Sequence, residues 1–457
     1  MNFKPTIVVL VLAALGVVAV WVFRAVPGAT GGGAATDQRA LPASAALPVD
    51  QVDRITLRRG PETMVFERVD TAWSQVEPFE HPLDPFSIRQ FVVQASQLQV
   101  AGVIGPDELQ GLSLEALSLD PPAAEVTYEW PGGVLTLELG RRGIAGRAYL
   151  RVVGEDRVYI VNQDLHQRAV EMDPKEWRDR TIFQGVGIDA ERIERVDETA
   201  RLLLVRERRQ WKMLEPVVTR VDGVAGPEFF GALGRARSGG FIVDQPDDLS
   251  KFGLASPAGS LTVRTSSRRR NGGKVVEVRR EQRLLIGNQI RLRSNDRFGM
   301  IEGRPVVFRV TEAVWRALFR PAAELADHTA SGVLAADVAA IRISGPEGEF
   351  RLQRDVDRWL APDHGRIEVP AGRVAELLEQ LTGLRAPRVD LQPYPYDLQV
   401  ATVTMHGFDA RPMDTVRIAR DAQTGEWALE NGDDVLRIFP ASMRMRLTPP
   451  DFGLSGP

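Results

Sequence analysis

Cysteine is absent from the 457 residues. Disulfides, thiolate metal sites, thiol nucleophiles and a lipidated N-terminal cysteine are thereby excluded, and an oxidising compartment is tolerated without being required. Lysine occurs only at positions 4, 175, 212, 251 and 274, so nearly all of the 57 basic residues are arginine. The reading preferred is a compositional bias of the genome, with thermal or functional selection as the alternative. The five histidines, His81, His166, His328, His364 and His406, are never closer than 36 residues, so no helix carries a zinc-binding histidine pair. A charge excess is missing as well: the net charge is −4. Setting aside Lys4 and Arg24 leaves 55 basic against 61 acidic residues, or −6, which gives no general attraction to nucleic acid.

Catalytic signatures are missing in the same way. Gly272-Gly273-Lys274-Val275 lacks the spacing and the magnesium-binding hydroxyl of a phosphate loop. Gly185-Val186-Gly187 lacks the third glycine of a dinucleotide fingerprint, and no Gly-x-Ser-x-Gly elbow occurs. The acidic pairs Asp247-Asp248, Asp355 with Asp357, and Asp433-Asp434 lack the closing glutamate of a calcium loop. The last follows Asn431-Gly432 and reads as a hairpin turn. His364, in Pro362-Asp363-His364-Gly365, reads as a solvated turn residue. The expectation is a protein that is not an enzyme and holds no cofactor or metal.

At the N-terminus an uncharged, apolar stretch of eighteen residues, Thr6 to Phe23, lies between Lys4 and Arg24. It just reaches the length of a membrane-spanning helix, and Arg24-Ala25-Val26-Pro27 is a poor cleavage site. Residues 1–26 are therefore expected to be an uncleaved anchor crossing the membrane through residues 6–23, with a short tail inside and the large part outside. Residues 27–48, rich in glycine, alanine and proline, are expected to be a flexible linker.

The remainder is organised as a repeat. From Trp73, apolar residues stand at offsets 15, 18, 19, 22 and 25: Ile88, Phe91, Val92, Ala95 and Leu98. The same offsets from Trp359 give Val374, Leu377, Leu378, Leu381 and Leu384, and from Trp211 give Gly226, Phe229, Phe230, Leu233 and Ala236. This spacing is one face of a helix. Before each tryptophan, β-branched pairs open a strand: Val52 and Ile55, Ile193 and Val196, Val338 and Ile341. Trp73 and Trp359 lie eighteen residues after Ile55 and Ile341, and Trp211 fifteen after Val196, which implies a shorter hairpin in the middle copy. Trp73 is expected to close the second strand. Pro78 and Pro216 end their strands five residues after the tryptophan, and Asp84-Pro85 reads as a helix N-cap and first turn.

Past each helix come alternating strand patterns, and the joins correspond: Trp177-Arg178-Asp179-Arg180-Thr181 against Leu325-Ala326-Asp327-His328-Thr329. The fold expected is α+β: three tandem units of β-hairpin, helix and antiparallel meander, at 49–187, 188–333 and 334–457.

The apolar N-terminal run, Trp73 with Pro78, Trp211 with Pro216, Leu119-Asp120-Pro121-Pro122, Phe252-Gly253-Leu254-Ala255-Ser256-Pro257 and Arg178-Asp179 together resemble a bacterial family called domain of unknown function 4340. The resemblance implies a single-pass protein of the bacterial inner membrane with a periplasmic globular part, often encoded beside gliding-motility-type ABC transporters. It brings no catalytic residues.

One basic run stands out: Arg268-Arg269-Arg270-Asn271-Gly272-Gly273-Lys274. Its Asn-Gly between alternating strands reads as a solvated hairpin tip. The sharper alternative makes Arg268, Arg269, Arg270 and Lys274 contacts for anionic lipid or for an acidic partner. Trp73, Trp211 and Trp359 are expected to be core anchors of the repeats, against the alternative of sugar-stacking surface rings. The function expected is that of a non-enzymatic, membrane-anchored accessory or scaffold protein with a protein partner in a transporter-like envelope complex. The alternative is a module binding an envelope polymer or a peptide.

Overall fold

A computed structural model describes residues 39–457, apart from 110–112, 187–188, 199, 272–273, 292–293 and 455–457. The expected anchor, 6–23, lies outside the described residues, among which no helix is long and apolar enough to cross a membrane. The chain forms two compact units, one ending at Asp179 and the other beginning at Arg180.

The first unit holds one antiparallel sheet. Its strands are β1 (Arg39–Ala40), β2 (Arg54–Arg59), β3 (Glu62–Val69), β4 (Ala72–Glu77), β5 (His81–Pro82), β6 (Gln99–Ile104), β7 (Ala124–Trp130), β8 (Gly133–Arg142), β9 (Arg147–Val152) and β10 (Val158–Asn162). The second unit holds two sheets. One comprises β11 (Ala190–Asp197), β12 (Arg201–Glu207), β13 (Gln210–Glu215), β14 (Thr219–Arg220), β15 (Phe241–Asp244), β16 (Gly259–Asn271), β17 (Lys274–Arg291), β18 (Ser294–Ile301) and β19 (Val306–Val310). The other comprises β20 (Ala340–Gly345), β21 (Gly348–Asp355), β22 (Arg358–Ala361), β23 (Ile367–Val369), β24 (Arg388–Leu391), β25 (Gln399–His406), β26 (Pro412–Arg420), β27 (Trp427–Glu430) and β28 (Val435–Phe439).

Numbered from the first long strand of each repeat, all three sheets run 4-3-2-1-6-7-8-9-5, and among the described residues only the first adds a further edge strand, β1. The described fold is mostly β, 46% strand against 21% helix. Sheet therefore carries the architecture, and each sheet has one long helix packed on it: Pro85–Ser96, Ala225–Arg235 and Ala371–Thr382.

These helices form because the expected apolar stripe has a sheet to cover. Ile88, Phe91, Val92 and Ala95 are buried in the first, Gly226, Phe229 and Leu233 in the second, and Val374, Leu377, Leu378 and Leu381 in the third. Burying such a side chain contributes about 1.5–3 kcal/mol. Leu384 departs from the pattern: the third helix ends at Thr382, and Leu384 is 39% exposed. Asp84 caps the first helix, accepting from Ser87 N at 2.8 Å. Asp222, also eleven residues after its tryptophan, accepts from Val224 N and Ala225 N at 2.9 and 2.8 Å. Pro370 holds that position in the third repeat.

The register corrects the expected shorter middle hairpin. Ile55 pairs with Phe66, Ile341 with Leu352 and Ile193 with Leu204, so Ile193 is the counterpart of Ile55. Trp211 then lies eighteen residues on, as in the other copies. Ile55, Ile193 and Ile341 are all fully buried, whereas Val196 is 43% exposed. An odd spacing changes the face of a strand, and Ala190 occupies the place of Val52 and Val338, so the pair of β-branched residues slipped by three. The tryptophans also do not close the second strand. Each is the second residue of the third strand, β4, β13 and β22. Pro78 and Pro216 follow the last residues of β4 and β13 through cis peptide bonds after Glu77 and Glu215.

The expected linker also needs correction from residue 39 onward. Leu41, Ser44 and Leu47 are buried, β1 pairs with β6, and Leu41 N donates to Leu98 O at 3.0 Å. Proline and alanine suggested a linker, but Pro42 begins a one-turn helix that seals the first core.

Each repeat closes on a large apolar residue shortly after a proline: Trp177 after Pro174, Leu325 after Pro321 and Phe452 after Pro449, all buried. Trp177 is held between Phe66, at 5.5 Å edge-on, and Phe91, stacked at 4.9 Å. The matching joins make the same bonds, Asp84 N to Trp177 O at 2.8 Å and Asp222 N to Leu325 O at 2.9 Å. Behind the first and second sheets smaller clusters form around Leu119 and Leu254. There Gly140 and Gly287 are required, because a Cβ would overlap the carbonyl oxygen of Leu117 or Phe252.

Within the second unit the two sheets are joined by a polar network around the buried Asp222, Asp327 and Arg437. Asp222, fully buried at its side chain, accepts from Arg385 Nη1 at 2.5 Å and His328 N at 3.2 Å. Arg437, fully buried, grips Asp433 with Nη1 and Nη2, both at 2.7 Å, and donates from Nε to Asp327 O at 3.0 Å. Arg220 pairs with Asp327 at 2.7 Å. Val389 and Val435 of the third sheet enter the core of the second.

Candidate binding surfaces

The basic run lies where the second repeat departs from the others. Paired to the first strands at equivalent positions are Val126, Leu261 and Val403. From Leu261 the chain takes 23 residues to its hairpin partner Leu284, against 11 from Val126 to Leu137 and 13 from Val403 to Val416. The extra length extends β16 and β17 into a ribbon that from Ser267↔Val278 to Asn271↔Lys274 has no strand beside it among the described residues. Residues 264–281 hold seven basic and two acidic residues.

Both acids are engaged. Glu281 is paired with Arg264, and Glu277 accepts from Ser266 Oγ at 2.6 Å and Arg279 Nε at 3.3 Å. The hydrogen bond from Ser266, then that from Arg279, holds the Glu277 carboxyl below its ordinary range. Arg268 is exposed and stands opposite Glu277 in the register. Arg269 pairs with Val276, Arg270 with Val275 and Lys274 with Asn271 along the backbone. At the base of the ribbon a groove of about 660 Å³ is lined by Arg192, Arg206, Arg264, Arg279 and Arg280 against Glu191 and Glu281. Sequence reasoning named only the ribbon's end. Arg192 and Arg206 come from β11 and β12, and no local run marks them.

Trp73 and Trp359 are 8% and 6% exposed and belong to the first and third cores. Trp211 is half-buried and stacks on Phe230 at 4.4 Å. Phe91 shares the core of Trp73 but stacks on Trp177. Across the hairpin each tryptophan faces an arginine five residues earlier: Arg68 with Trp73, Arg206 with Trp211 and Arg354 with Trp359. Arg68 and Arg354 place their guanidinium 5.8 and 5.9 Å from the ring centre. The spacing Arg-x-x-x-x-Trp was visible in the sequence three times.

Several other titratable residues make contacts within the fold. Asp433 holds Arg437, Asp248 caps a short helix through Ser250 N at 2.9 Å, and Asp355 faces Arg358 at 3.4 Å. His364 lies edge-on to Phe350. His166 is buried, its Nε2 2.7 Å from Tyr149 O, and burial lowers its pKa to about 4. Among the described residues no three histidine, aspartate or glutamate side chains are grouped to hold a metal.

The model of a protein family described as domain of unknown function (DUF4340) matches residues 73–225 and again 211–399. The two matches begin at Trp73 and Trp211, the equivalent tryptophans, and together span well over half of the chain. The chain belongs to the DUF4340 family. The double match follows the repeat seen in the sheets, and its overlap, 211–225, is the tryptophan strand and helix start of the second copy of this DUF4340 protein. No curated protein matches the chain.

Proposed function

We propose that this DUF4340 protein is a non-enzymatic accessory subunit of an ABC-transporter-like complex in the bacterial inner membrane, anchored through residues 6–23 with its three sheets on the periplasmic side. The observation that carries the reading is the basic ribbon. It is an insertion in one copy only, none of its described residues belongs to a core cluster, and it concentrates positive charge on a protein whose net charge is −4. Such a feature supports docking on an acidic partner, with arginine forks suited to carboxylates.

Affinity purification of the tagged full-length protein from membranes tests the proposal. Transporter subunits should come with the wild type and be lost with Arg268, Arg269 and Arg270 changed to serine. Recovery without any membrane-transport protein would sink it. The second reading, a peptide-binding module, is favoured by a pocket in the third repeat.

A further inference from the structure

In the first two repeats an arginine fills the space between the opening hairpin and the closing segment. Arg59, at the end of β2, donates from Nη1 to Val170 O at 3.3 Å and Met172 O at 3.0 Å. Arg195 of β11, buried, donates to Arg320 O. Met172 and Arg320 are equivalent, each five residues before the closing Trp177 or Leu325. The same count back from Phe452 reaches Leu447.

The third repeat has no such plug. The positions of Arg59 and Arg195 are taken by Gly345 and Ile343. Gly345 and Leu447, the counterparts of Arg59 and Met172, both line a pocket of about 290 Å³. Phe350, Val400, Trp427, Met445 and Leu447 line it. The Trp427 indole is fixed by its Nε1 donating to Met443 O at 2.8 Å. Arg420, exposed at the mouth, lies over that ring at 4.8 Å, with no carboxylate paired to it among the described residues. Asp451, also lining the pocket, is occupied by Leu447 N, Thr448 N and Thr448 Oγ1 at 3.1, 3.1 and 2.8 Å.

We propose that this pocket receives one apolar side chain of a partner peptide, with an adjacent carboxylate held by Arg420. The volume is at the lower edge of the range of about 300–1,000 Å³ for small-molecule sites, which suits a single side chain rather than a nucleotide or cofactor. Aromatic and aliphatic walls favour apolar burial. A guanidinium stacked on an indole keeps its fork free for a carboxylate. Glu347, which also lines the mouth, disfavours a second anion and directs the carboxylate to Arg420. The pocket would serve any assembly the protein joins, so its test does not depend on the transporter reading.

Ligand-observed NMR on the full chain, with N-acetylphenylalanine, its carboxamide and octanoate as probes, decides the matter. N-acetylphenylalanine should bind saturably and its carboxamide about tenfold more weakly, as loss of a charge-assisted hydrogen bond requires. Arg420→Gln should bring the acid down to the level of the carboxamide, and Gly345→Arg should abolish binding. At Gly345 a new Cβ would meet Val400 O at 3.2 Å, so the melting temperature of that variant is checked alongside. The exposed Arg420→Gln site keeps the test valid if Gly345→Arg does not fold. Absence of saturable binding, equal binding of acid and carboxamide, or indifference to Arg420→Gln would overturn the proposal. Tighter binding of octanoate would replace the peptide with a fatty acid.

Discussion

The tryptophans, Asp222 and His166 show what single residues contribute. Trp73 and Trp359 are core residues by burial, so truncation to alanine should cost roughly 3–5 kcal/mol each. Trp211, half-buried on Phe230, should cost less and quench more readily with acrylamide in single-tryptophan variants. Free-indole quenching at Trp73 or Trp359 would contradict these placements. Asp222 is a harder case. Burial raises its pKa, but Arg385 and the amides of Ala225, Val224 and His328 outweigh that and lower it to about 2. Its contribution is therefore present above the ordinary carboxylate range and lost as pH falls towards 2. Asp222→Ala removes the acceptor of three amides, while the exposed Arg385 can turn to water, and should cost about 1–3 kcal/mol, read by urea denaturation. His166 has the opposite origin. Its Nδ1 is buried without a partner, and a folded pKa of about 4 against 6.5 means that the unfolded chain takes up the proton first. Stability should fall as pH drops from 6.5 towards 4, by up to about 3 kcal/mol. His166→Gln should flatten that slope, and an unchanged slope would refute the assignment.

Among the elements, those with a repeated spacing were legible and those set by pairing were not. The three helices could be placed because the buried face recurs at fixed offsets from Trp73, Trp211 and Trp359. The middle hairpin could not be registered from β-branched residues alone, since Ala190 replaced one of the pair and Val196, on the other face, mimicked it. The bonds of the Asp222 side chain to Val224 N and Ala225 N escaped notice because no proline follows it as Pro85 follows Asp84. The arginine groove was illegible for a deeper reason. Arg192 and Arg206 meet Arg264 and Arg280 only once β11, β12, β16 and β17 pair, and a linear scan sees only the run at 268–270. The ribbon's independence from the core has a direct consequence. Changing Arg268, Arg269 and Arg270 to serine should move stability by less than about 0.5 kcal/mol. A melting temperature lower by several degrees would show that these positions support the fold rather than a partner.

At the scale of the whole molecule the sequence displayed three copies but not where the first begins or how the last two combine. The second and third sheets share one compact unit, in which buried Asp222 pairs with Arg385 and buried Arg437 donates to Asp327 O, each across more than a hundred residues of chain. Ion pairs formed at such separation leave no local pattern. At the other end, composition marked 27–48 as linker, whereas Leu41 and Leu47 are core residues and Ser44 is buried against Ala95 O. Two truncations separate these views. Removing residues 1–26 takes away only the expected anchor and should leave a protein that is folded by circular dichroism, with a melting profile like that of the full chain. Removing 1–48 also takes away β1, the one-turn helix and two buried leucines, at about 1.5–3 kcal/mol for each leucine, together with the β1–β6 pairing. The shorter chain should therefore melt several degrees lower, because a few kcal/mol is a large share of the stability of a domain this size. If both truncations melt alike, the segment from Arg39 to Pro48 contributes nothing to the first core and the linker boundary read from composition stands.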